Sequence, residues 1–125
     1  MNDQRYLHNL FRNTNKDPIL SKRRAGTIIK VITGHKAKIG ADIEPLLLDL
    51  RSQAMQYPGF VESENLLGEK DSYVIVTIST WERAEDWREW EKSVIRQQLY
   101  NKVKELLEDE PQAQMYRIVA TNRWG

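Results

Sequence analysis

One stretch, DSYVIVTISTWERAEDWREWEKS at residues 71–93, constrains the fold more than any other, because a strand pattern turns into a helix pattern at a single tryptophan. Residues 73–80 are rich in Tyr, Val, Ile and Thr and carry apolar side chains on both parities of the alternation, which predicts a strand buried on both faces at the centre of a sheet. Trp81 closes that strand, and Glu82 and Arg83 make the turn. Ala84, Trp87 and Trp90 then recur at three-residue spacing, so they share one side of a helix. The indoles are therefore expected to gather where the strand's end meets the helix.

The rest of the chain supplies partners for this unit. Residues 27–33 (TIIKVIT) predict a first strand, and residues 34–40, bounded by Gly34 and Gly40 and containing His35, predict a loop. Ile43, Leu46, Leu47, Leu50 and Ala54 form the stripe of an amphipathic helix, with Pro45 tolerated in its first turn and Pro58-Gly59 beyond its end. Residues 60–67 predict a more polar strand in which Glu62 and Glu64 share a face that is wet or rims a cavity, followed by a short turn at 68–71. Ser93 is expected to interrupt the tryptophan helix. Ile95, Leu99, Val103 and Leu106 give a further stripe, and residues 113–120 a last strand.

The order is β, α, β, β, broken α, β, which predicts an α+β, ferredoxin-like βαββαβ domain with a four-stranded antiparallel sheet and both helices on one face. The first and third strands are apolar on both sides, so the uncovered face predicts a homodimer formed through the sheet.

At 125 residues the chain has room for one core, placed at residues 26–121 and flanked by a 1–25 extension and a 122–125 tail carrying Trp124. Tyr6, Leu7, Leu10 and Phe11 suggest a short helix in the extension that docks on the domain or on a second subunit. Six of the extension's side chains are basic against two acidic, but the Lys22-Arg23-Arg24 cluster supplies too few charges for nucleic-acid binding. No apolar run spans a membrane, no secretory leader opens the sequence, and the absence of cysteine fits a cytoplasmic protein. His8 and His35 stand without metal-ligand spacing, and no phosphate loop or nucleophile elbow occurs. The acidic run 82–91, interleaved with Arg83, Arg88 and Lys92, reads as a solvated helix face.

What remains is aromatic. Trp81, Trp87, Trp90, Tyr100, Tyr57 and Phe60 could line a slot between the helices and the sheet suited to a small planar aromatic ligand, although tryptophans at a strand–helix junction commonly fill core. The residues Pro58-Gly59-Phe60, the run VIVTISTW ending at Trp81 and the block DWREWEKS at 86–93 resemble the antibiotic biosynthesis monooxygenase family. That resemblance covers residues 27–120. It implies a dimeric α+β barrel and, in the quinone-forming members, oxidation of an aromatic substrate by O2 with no cofactor, the deprotonated substrate supplying the electrons. Those members carry an asparagine four residues before the strand-terminal tryptophan and a tyrosine six residues after it. Here the tryptophan is Trp81, while Thr77 and Trp87 occupy the other two places.

The resemblance makes Trp81 the substrate wall, with Thr77, Tyr100 and His35 as polar contacts; His35 alone has an ordinary pKa suited to base work near neutrality. Two alternatives stay open. One is a non-catalytic ligand-binding or stress-linked dimer whose pocket is packed shut by Trp87 and Trp90. The other is a haem-degrading relative, in which an asparagine would match Ile32 or Thr33 and the iron-binding histidine would fall near Tyr100.

Overall fold

A computed structural model describes residues 27–121; the proposed leader helix, the Lys22-Arg23-Arg24 cluster, His8 and Trp124 lie outside the described residues. The elements run β1 (Ile29–Lys36), α1 (Glu44–Ala54), β2 (Phe60–Leu67), β3 (Val74–Trp81), α2 (Ala84–Glu91), α3 (Val94–Lys104) and β4 (Ala113–Arg117). The strands form one antiparallel sheet in the order β2-β3-β1-β4, so β3 and β1 are central as the two-sided apolar pattern predicts. This is the ferredoxin-like α+β arrangement.

Register decides which side chains meet the helices. Ile29, Val31, Thr33 and His35 stand opposite Trp81, Ser79, Thr77 and Ile75. All of these are buried except Thr77, which is half-buried, and they share the helix-covered face with Phe60, Ser63 and Asn65 of β2. Ile43 at the N-cap of α1, Leu47, Leu50 and Ala54 from α1, Trp87 and Trp90 from α2, and Tyr100 and Val103 from α3 close over them as the core. Each large apolar side chain so buried contributes about 1.5–3 kcal/mol. On the other face Ile32, Val76 and Ile78 form a half-buried apolar centre that no described helix covers, with Glu62 and Glu64 exposed beside it.

The first strand corrects the sequence reading. The segment read as a loop from Gly34 is strand through Lys36, and His35 is a buried strand residue, 3% exposed. Pairing outweighs the glycine's turn preference: Gly34 and His35 continue the ladder against Val76 and Ile75. The strand's end is then pinned by Ala37 N–H donating to the Tyr73 carbonyl at 2.8 Å and Glu108 N–H donating to the Lys36 carbonyl at 2.8 Å. Gly34 tolerates the position because it projects onto the uncovered face, where a Cβ would meet nothing within 4 Å. The last strand also stops at Arg117 rather than Ala120.

Ser93 breaks the second helical segment as expected, and it does so with one hydroxyl. Its Oγ donates to the Trp90 carbonyl at 2.8 Å, ending α2, and accepts from Arg96 N–H at 3.2 Å, capping α3. The two helices are thereby held at a corner that turns Trp87, Trp90, Arg96 and Tyr100 toward one place. Pro58-Gly59 fixes the other approach. Gly59 adopts φ +85°, and a Cβ there would fall 2.0 Å from a carboxylate oxygen of Asp86, the residue that pairs with Arg83 at 3.2 Å. Gly59→Ala should therefore lower unfolding stability by about 2 kcal/mol or more, from left-handed strain plus loss of the Asp86 seat. Urea denaturation checks this; an unchanged midpoint would show that the turn relaxes freely.

Candidate functional site

A recess opens between the helix-side face of the sheet and the α1, α2 and α3 layer. Its cavity volume is about 60 Å3. Its floor is a polar patch made by register: Thr77 stands between Asn65 and Thr33, and Ser79 lies beside Ser63. The Thr77 hydroxyl donates to Asn65 Oδ1 at 2.8 Å. The inner wall is aromatic. Trp81 is fully buried, its indole N–H donating to Ser79 Oγ at 3.0 Å. Phe60 meets it edge-on at 5.3 Å between ring centroids, and Trp87 does so at 6.0 Å. Trp90, 4% exposed, packs edge-on against Tyr57 at 5.0 Å.

The chemistry-bearing groups sit together at the α3 side. His35 Nδ1 lies 3.0 Å from the Ile75 carbonyl oxygen, and His35 Nε2 lies 2.5 Å from the Tyr100 hydroxyl. A carbonyl can only accept, so Nδ1 carries the hydrogen. In the neutral ring Nε2 is then the acceptor, and Tyr100 O–H donates to it. Burial lowers the His35 pKa from its ordinary value; the bond to Ile75 opposes that shift, and the charge of Arg96 adds to it. Burial pushes the Tyr100 hydroxyl up to about 12, with Arg96 pulling the other way and Glu110 adding to the rise. Both groups are therefore neutral at neutral pH.

Arg96 is the group the sequence reading passed over. Its guanidinium carbon lies 4.5 Å from the Tyr100 ring centroid and 5.2 Å from that of Trp87. No carboxylate among the described residues forms a salt bridge with it. Burial lowers its pKa, while the charges of Tyr100 and Glu91 raise it. A half-buried cation on aromatic faces, facing a cavity without an acid partner, is a ready counter-charge for an anionic ligand. The spacing of Arg96 and Tyr100, one helical turn apart on α3, is the signal that could have found it.

Of the expected slot residues, Trp81, Thr77, His35, Trp87, Trp90, Tyr100 and Phe60 line the recess, whereas Tyr57 does not and instead packs against Trp90. Asn65, Ser63, Thr33, Arg51 and Arg96 line it too and were not expected as site residues. The Glu62 and Glu64 carboxylates project onto the opposite face, so they do not rim this cavity; Ser63 and Asn65 do. Of the two first-strand positions matched to a haem-site asparagine, Thr33 faces the recess and Ile32 faces away.

The residues do not fit a haem. Both nitrogens of His35 are engaged, Arg96 covers the Tyr100 ring face, and the cavity volume of about 60 Å3 is far too small for the macrocycle. Among the described residues no group of three or more His, Cys, Asp or Glu side chains is placed to hold a metal ion.

No protein-family model matches the sequence, and no curated protein matches it. Solved structures do match in fold. The cofactor-independent oxygenase SnoaB from Streptomyces nogalater superposes with a TM-score of 0.66 at 15% identity, over 79% of this chain and 96% of its own. A candidate antibiotic biosynthesis monooxygenase from Nitrosomonas europaea gives 0.70 at 12% identity, over 75% and 92%. A conserved protein from Methanosarcina mazei gives 0.69 at 14%, over 74% and 94%. At these identities the likeness establishes the fold, which is the one that antibiotic biosynthesis monooxygenases share.

Proposed function

We propose that the chain is a cofactor-independent monooxygenase that uses O2 to oxidise a small hydroxyaromatic or quinol-type substrate in the recess beside α3. The observation that carries this reading is Arg96, a guanidinium that forms no salt bridge among the described residues and borders an aromatic-walled cavity on a fold shared with such oxygenases. A substrate that must lose a proton before it can give electrons to O2 needs a place for the resulting charge, and a preorganised cation in a water-poor site provides it.

Trp81 and Phe60 form the wall against which a planar ring lies. The floor supplies an amide as well. Quinone-forming members of the resembling family carry their asparagine at the position of Thr77, and here Asn65 on the neighbouring strand brings the same group within 2.8 Å of the Thr77 hydroxyl.

The test is O2 consumption with a panel of mono- and bicyclic hydroxyaromatics, aerobic against anaerobic. At least one compound should show uptake above the buffer blank. Arg96→Gln should lower the rate by about 10- to 100-fold, and Trp81→Phe should lower it as well. No uptake with any compound would contradict the reading. A second reading, a ligand-binding protein without catalysis, is favoured by the small cavity volume, about 60 Å3, and the nearly sealed Trp87 and Trp90 that line it. It predicts quenching of the indole fluorescence by the same panel with no O2 consumed.

The uncovered sheet face, with Ile32, Val76 and Ile78 at its centre, supports a homodimer as the working form. Sedimentation at micromolar concentration should give twice the protomer mass, and a well-folded lone protomer would contradict it. No helix among the described residues is long and apolar enough to cross a membrane. With no cysteine in the chain, the cytoplasm is the compartment we assign.

A further inference from the structure

We propose that Tyr100 and His35 act as one proton acceptor, in which the Tyr100 oxygen takes the acidic proton of a bound hydroxyaromatic while its own proton passes to Nε2 of His35. The inference rests on reading the recess as a hydroxyaromatic site, and it adds the step that makes the anion.

Three observations lead to it. First, His35 cannot meet a ligand directly: it is 3% exposed, with Nδ1 bonded to the Ile75 carbonyl and Nε2 to the Tyr100 hydroxyl. Second, the Tyr100 oxygen keeps acceptor capacity after donating its hydrogen, and both Tyr100 and His35 line the recess. Third, the Ile75 carbonyl fixes the tautomer, so the basic lone pair of the imidazole is aimed at Tyr100 and nowhere else. A buried histidine satisfied only for packing would not need its free lone pair spent on a hydroxyl of a residue that lines the cavity.

The bookkeeping closes. The ligand O–H bond breaks and its electron pair stays on the ligand oxygen. A new O–H bond forms on Tyr100, the original Tyr100 O–H bond breaks, and an Nε2–H bond forms on His35. The net result is a phenolate in the recess and an imidazolium in the sheet, still donating from Nδ1 to Ile75. Nothing is oxidised or reduced.

The charged groups around this pair make the transfer conditional on the ligand. From α3, Arg96 lies over the Tyr100 ring, and Glu110, beyond α3, acts on the same phenol. From α1, Arg51 lines the recess, and β3 contributes the Ile75 carbonyl. With the recess empty, Arg96 disfavours a second positive charge on His35. A phenolate formed beside Arg96 offsets that repulsion, so proton transfer and anion binding occur together. Tyr100 is thus the catalytic residue, touching the ligand, and His35 acts through it as a positioning and proton-storing residue.

The experiment is anaerobic and needs no turnover. 7-Hydroxycoumarin, whose neutral and ionised forms differ in absorption, is titrated with pH in the presence of saturating protein. Bound to the wild-type protein it should ionise at lower pH than in buffer, with its acid dissociation constant raised by about tenfold, one pKa unit. Tyr100→Phe, which keeps the ring under Arg96, and His35→Gln should both bind the coumarin and lose most of that shift. Thermal unfolding of each variant shows whether it is folded, and Tyr100→Phe decides the matter if His35→Gln is not. If the bound phenol stays neutral on the wild-type protein, or both folded variants keep the full shift, the relay is overturned while the oxygenase reading stands. If the coumarin does not bind, the relay is overturned for this class of phenol, and the oxygenase reading is decided by the O2 assay with the whole panel. Ionisation without any O2 consumption in the aerobic assay leaves the relay in place and removes only the oxygenase.

Discussion

The contact on which the rest of the site depends is the clasp around His35. One imidazole ties β1 to β3 through the Ile75 carbonyl at 3.0 Å and to α3 through the Tyr100 hydroxyl at 2.5 Å. A buried polar ring with both nitrogens satisfied costs little, whereas the same ring with one partner removed leaves an orphaned donor or acceptor in the core. The clasp therefore sets the depth and rotation of Tyr100, and through its ring it sets the seat of Arg96. Packing alone would leave α3 free to slide on an apolar sheet. Directional bonds do not.

Charge and shape divide the remaining work. The indoles of Trp81, Trp87 and Trp90 meet neighbouring rings edge-on, a geometry their quadrupoles favour by about 0.5–1.5 kcal/mol per pair. All three line the recess and are buried. Arg96 lines the same recess. Among the described residues its guanidinium forms no salt bridge: Asp86 pairs with Arg83 and Glu89 with Lys92, while Glu91 acts on it only through its charge. The corner made by Ser93 brings these parts together without placing a polar group of its own in the cavity.

Much of the architecture was legible in the sequence because hydrophobic periodicity reports burial. The two-parity run ending at Trp81 and the 43–54 stripe specified the centre of the sheet and its first cover helix, and Ser93 marked the helical corner. The edges of strands were less legible. Gly34 signals a turn locally, and only pairing with Val76 of β3, distant in sequence, makes it a strand residue. The same mistake hid His35, whose role depends on Tyr100 across 65 residues of sequence. Asn65 escaped because β2 carries a bulge between Phe60 and Glu62, which shifts the inward parity so that Ser63 and Asn65 point to the recess and the two glutamates away. Arg96 escaped because an arginine beside a leucine stripe ordinarily lies in solvent, and nothing in the sequence shows the absence of a paired acid.

The most direct measurement of this account is nitrogen-15 NMR of the His35 imidazole at neutral pH. Distinct signals for a protonated Nδ1 and an unprotonated, hydrogen-bond-accepting Nε2, persisting below the ordinary histidine range, are the predicted result. An imidazolium at neutral pH, or a ring carrying its hydrogen on Nε2, would contradict it.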